Sequence, residues 1–131
     1  MQSLVPNSRR PDVTFYPYGR IDISSRVAVV LGLQRGDVID VAEHKGEYLL
    51  YVRRRAKDVI GRHEAFVFPS CRGKRYANNF RSYSRKLCQA MYEASQPPSN
   101  GGDKKLRLSV GEPVTIENYG TAMPIITRNP L

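Results

Sequence analysis

Gly19-Arg20-Ile21-Asp22-Ile23, Ser24-Ser25, Arg26-Val27-Ala28-Val29-Val30-Leu31-Gly32 and Gly36-Asp37-Val38-Ile39-Asp40-Val41 follow one another between residues 19 and 41, and their order decides the fold. The first segment alternates apolar and polar residues as a half-buried strand does. Ser24 and Ser25 offer an N-cap hydroxyl to the apolar run from Arg26 to Leu31. Gly32 tolerates the positive φ that ends a helix. Gly36-Asp37 is a corner, with Asp37 suited to capping the turn backbone. Val38 to Val41 resumes strand alternation. His44-Lys45-Gly46-Glu47 is a polar reversal, and Tyr48 to Val52 leaves as a further strand.

This pattern resembles the AbrB/MazE/SpoVT family of swapped-hairpin DNA-binding domains. The matching residues are Gly19-Arg20-Ile21-x-Ile23, Leu31-Gly32-Leu33-x-x-Gly36-Asp37, then Ile39 and Val41, without a gap. The resemblance spans about residues 12–55; a similar strand–helix–Gly-Asp element occurs in double-psi barrels. It implies a homodimer in which two chains interleave hairpins into one small barrel, and it implies contact with DNA. The chain departs from the family at Ser24, where proline is usual. It also departs at Ala28 and Val29, where DNA-binding members carry basic residues. Arg20 keeps a usual basic position, with a pairing to Asp22 or Asp37 as its structural alternative, and Arg26 lies one turn early.

The chain has 131 residues, 40% of them hydrophobic, which suits one domain or a small domain with an extension. A barrel of about 40 residues buries too little surface to stand alone, which also favours a dimer. No run approaches the roughly 18 apolar residues of a membrane span. Met1 to Pro11 lacks the apolar core of a signal peptide, so a cytoplasmic location is expected. Cys71 and Cys88, with only His44 and His63 to join them, form no metal-ligand spacing. Cys88 reads as a buried, reduced thiol on a helix.

Along the chain, residues 1–11 read as a flexible arm ending in Arg9-Arg10-Pro11, and residues 12–57 as the barrel and dimerisation unit. Residues 58–131 form a basic α+β extension that resembles no known family. Val13 to Tyr16 begins the first strand, bent at Pro17-Tyr18-Gly19. Arg53-Arg54-Arg55 closes the barrel unit, and alternation points Arg54 away from its two neighbours. Ala65 to Phe68 is a short strand. A helix capped by Asn78 or Asn79 is expected over Phe80–Ser95, with Arg81 and Arg85 one turn apart on it. Residues 96–104, with Pro97-Pro98 and Gly101-Gly102, read as a loop. Leu106, Leu108 and Val110, then Val114 to Glu117 and Ala122 to Thr127, read as strands. No internal repeat is legible. The fold expected is mainly β with one or two helices.

Net charge is +9, a balance that suggests a polyanionic partner. Residues 61–131 carry eleven basic and five acidic groups, against ten and seven in residues 1–60. The interval between Glu64 and Glu93 holds Arg72, Lys74, Arg75, Arg81, Arg85 and Lys86, no acid, and the aromatics Phe68, Tyr76, Phe80 and Tyr83. Interleaved cations and aromatics suit phosphate contact with base stacking. The nucleic-acid-binding candidates are therefore Arg20, Arg26, Arg72, Lys74, Arg75, Arg81 and Arg85. No catalytic pair, cofactor motif or metal set is evident. The reading is a homodimeric DNA-binding protein, a regulator of transcription or of a mobile element, with duplex DNA as first ligand. A protein–protein module for an acidic partner is one alternative. A single-strand or RNA binder stacking bases on Tyr76, Phe80 and Tyr83 is the other.

Overall fold

The computed structural model describes residues 11–57, 63–70, 79–95, 105–128 and 130. Its N-terminal half follows the expected order. β1 (Val13–Phe15) and β2 (Arg20–Ile23) pair antiparallel. The Ser24 hydroxyl caps α1 (Ser25–Leu31) by accepting from the Val27 N–H. Gly32 ends the helix in the left-handed region at φ 64°, where its N–H donates back to the Ala28 and Val29 carbonyls. The Asp37 carboxylate accepts from the Gln34 N–H at 2.9 Å and fixes the corner. β3 (Val38–His44) and β4 (Glu47–Arg54) then form a second hairpin, turning through Lys45 and Gly46 at positive φ.

The remaining elements are β5 (Ala65–Phe66), β6 (Phe68–Pro69), β7 (Phe80–Tyr83), α2 (Arg85–Ser95), β8 (Leu106–Val110), β9 (Val114–Ile116) and β10 (Gly120–Ile126). They join the same sheet: β7 pairs with β2, β8 with β1, and β10 with β4. The ladder runs β5-β3-β4-β10-β8-β1-β2-β7-β6, with β9 beside β10. Its two ends meet in one short segment, since β5 pairs with β3 while β6 pairs with β7. Between them Val67 is fully buried; its N–H donates to the Asp37 carbonyl and its carbonyl accepts from the Gly36 N–H, each at 2.8 Å. The result is a nearly closed antiparallel barrel. Strand residues such as Val13, Phe15, Ile21, Ile23, Ile39, Leu50, Leu108 and Met123 fill it. Val27, Ala28 and Leu31 of α1 and Cys88 and Met91 of α2 join the same core. No helix among the described residues is long and apolar enough to cross a membrane.

The pairings repeat between the two halves. β1–β2 corresponds to β6–β7, β3–β5 to β8–β1, and β3–β4 to β8–β10. The β2–β7 and β4–β10 ladders lie on the approximate two-fold axis that relates them. Keeping inward residues on inward residues sets the outward pair Arg20 and Asp22 of β2 against the outward pair Arg81 and Tyr83 of β7. Each half also passes from strand to helix through a serine: Ser84 Oγ accepts from the Leu87 N–H at 3.2 Å, as Ser24 does for α1. This correspondence is carried by register and not by residue identity, which is why the sequence shows no repeat.

Two expectations are corrected. Residues Phe80–Tyr83 are a strand, not the first turn of a helix, and Ser84 stands where Asn78 or Asn79 was expected. Phe80 and Ser82 face inward, and Ser82 donates to the Phe66 carbonyl at 2.8 Å; β2 needs a neighbour, and strand pairing outweighs the local helical spacing. Secondly, Arg53 and Arg54 both reach Glu64, because the β3–β4 register shifts at Val38/Ile39 and a bulge breaks the alternation there. Arg55 pairs instead with buried Asp37 at 3.3 Å. Cys88 is a buried free thiol, as expected. Residues 1–10, Cys71 and residues 96–104 lie outside the described residues.

Candidate nucleic-acid interface

Alternation puts Val13, Phe15, Ile21, Ile23, Phe80 and Ser82 in the interior and leaves their neighbours on the outer face. Register then aligns those neighbours across strands. One row runs Arg107, Thr14, Asp22, Arg81, Phe68 across β8, β1, β2, β7 and β6. In the next, Arg20 stands opposite Tyr83. On its other side the Arg20 guanidinium lies 4.6 Å from the Tyr16 ring centre, and Lys105 Nζ lies 5.8 Å from the same ring. Phe68 stacks on Tyr83 at 6.1 Å with the rings 20° apart, and Phe66 meets Phe68 at 6.3 Å. Cations and aromatics thus alternate over one outer face of five strands.

Asp22 sits at its centre. Its carboxylate accepts from Arg20 Nε at 3.1 Å and Nη2 at 2.8 Å, from Arg81 Nε at 2.8 Å, and from the Tyr16 hydroxyl at 3.2 Å. Burial pushes this carboxyl up, but the hydrogen bonds and charges of Arg20 and Arg81 outweigh it and hold it below the usual range. Burial is also the main reason that the Tyr16 hydroxyl is pushed up, with the Asp22 charge adding to it. One carboxylate cannot saturate two guanidinium groups with five donors each. Lys105 and Arg107 are exposed beside them. The surface therefore keeps a positive balance, with donors fixed in place by Asp22.

Among the sequence candidates, the fold brings Arg20 and Arg81 together on Asp22. Arg85 opens α2 at the rim of this face, exposed, close to the β1–β2 turn. Gly19 permits that approach: its φ is 109°, and a Cβ there would meet Arg85 Cγ at 3.0 Å. Arg26 has other partners: it binds Asp12 through Nε and Nη2 at 3.1 and 3.0 Å and donates to the Val110 carbonyl, tying α1 to β1 and β8. Arg72, Lys74 and Arg75 lie outside the described residues, in the chain between β6 and β7. So does Tyr76, whereas Phe80 is only 8% exposed and belongs to the core.

Sequence reasoning missed Tyr16, Phe66, Lys105 and Arg107 as members of this surface. Their signal is strand alternation, Lys105-x-Arg107 against buried Leu106 and Leu108. Its meaning depends on β8 pairing with β1, a contact between distant parts of the chain. Among the described residues no group of His, Cys, Asp and Glu is placed to hold a metal ion. No family model, curated protein or solved structure matches the chain.

Proposed function

We propose that the protein binds DNA through its phosphates, at the outer face that carries Arg20, Arg81, Lys105 and Arg107. The observation that carries this reading is the alignment of four cations, with one carboxylate among them, on adjacent strands. Phosphate is one of the anions that guanidinium groups bind with two donors at once, and a polyanionic strand supplies it repeatedly. Arg85, and the segment bearing Arg72, Lys74 and Arg75, extend the contact in this proposal. A role in regulating transcription or a mobile element rests on the resemblance of residues 12–55. Each half of the barrel stands, in this reading, for one chain of a swapped-hairpin dimer. A homodimer would then associate through outer surfaces, for which Val29, 63% exposed on α1, supplies an apolar patch. The same patch is what favours the second reading, an acidic protein partner.

Fluorescence anisotropy against labelled duplex and single-stranded oligonucleotides, at several salt concentrations, tests the proposal. Binding that weakens with a log–log salt slope of about −3 to −4 is expected for four phosphate contacts. Absence of binding to either form at low salt would remove nucleic acid and leave the protein-partner reading.

A further inference from the structure

The cations on this face leave one feature unexplained. Tyr83 and Phe66 are 54% and 47% exposed, and they cluster with Phe68 between charged neighbours. Phosphate contact needs no aromatic ring. Large rings held open to water on a strand face mark a binding surface, and the ligand must also suit the surrounding positive charge.

Duplex DNA suits the charge but not the rings. Strands lie about 4.8 Å apart, so the face from β8 to β6 spans roughly 19 Å. The major groove is about 12 Å wide and admits a helix or a two-stranded ribbon. A five-stranded face therefore meets a duplex only at its phosphates, with the base planes stacked out of reach. An unpaired strand presents both chemistries at once, a chain of anions and flat apolar bases that stack on aromatic rings whatever their sequence. Tyr16 and Tyr18, with ring centres 5.5 Å apart, give a second aromatic pair across Arg20 from Tyr83.

Resting on the nucleic-acid reading above, we propose that this face is a site for an unpaired nucleic-acid strand, its bases stacking on Tyr83 and Phe66 and its phosphates held by Arg20, Arg81, Lys105 and Arg107. The shared chemistry, a phosphodiester chain with free base faces, is common to DNA and RNA.

The test compares the full chain against labelled oligodeoxyuridylate, oligouridylate and a mixed-sequence duplex, each of about 15 nucleotides. An unpaired strand should bind at least about tenfold more tightly than the duplex, and the tighter of the two single strands identifies the sugar. Tyr83→Ala and Phe66→Ala should each weaken the unpaired strand by about fivefold or more and leave the duplex unchanged. Tyr83→Phe should restore affinity. Tyr119→Ala, an exposed ring on the β9–β10 turn, should change nothing. Equal or tighter binding of duplex, with both alanine variants silent, would overturn this inference and leave the phosphate reading standing. Loss of binding to every oligonucleotide would overturn both.

Discussion

Asp22 shapes the face that binds anions while being an anion itself. Its carboxylate orients Arg20 and Arg81 and lowers the charge that they present. Asp22→Asn should therefore have opposite effects on folding and on ligand binding. At pH 7 the variant should lose about 1 kcal/mol of stability, since the pairing is partly exposed. It should also bind nucleic acid more tightly, with a salt slope steeper by about one. The folded carboxyl titrates below its unfolded value of about 3.9, so its contribution is present above that value and lost as pH falls through the lower folded one. Urea midpoints of the two proteins should converge as pH drops below about 4. A gap that stays constant with pH would assign the stability to something other than this carboxylate.

The strand-to-helix junction is legible in the sequence of the first half and not in that of the second. Ser24 follows an alternating strand and precedes an apolar run, so both elements declare themselves locally. Residues 80–95 do not separate in that way. Phe80, Tyr83 or Ser84, Leu87 and Met91 fit helical spacing throughout, while the strand character of Phe80–Tyr83 comes from pairing with β2. The outer face was half legible for the same reason: Arg20, Arg81 and Tyr83 were visible as residue types, whereas their alignment with Lys105, Arg107 and Tyr16 required knowledge of which strands meet. Ser84→Ala tests the revised boundary. Loss of its cap should cost about 1 kcal/mol in chemical denaturation, and Asn78→Ala or Asn79→Ala should cost less. The reverse order would restore the longer helix.

The whole molecule is closed by contacts between residues far apart in the chain. β1, β2, β3 and β4 all take partners from beyond residue 57, so residues 11–57 alone leave four strands with unpaired edges. That fragment should lack a cooperative unfolding transition as a monomer, and any β signal it shows by circular dichroism should grow with concentration as copies replace the missing half. A fragment that folds at every concentration without associating would contradict this account. The two-fold correspondence of the halves has one further consequence. A surface related to itself by a perfect dyad presents the same groups in both directions, and a strand laid across it could run either way. Here the dyad sets Arg20 and Asp22 of β2 against Arg81 and Tyr83 of β7, so the two halves differ. One edge of the face carries Lys105 and Arg107, the other Phe66 and Phe68. A polymer with distinct 5′ and 3′ ends then has one preferred heading along it, and its target has no need to be palindromic.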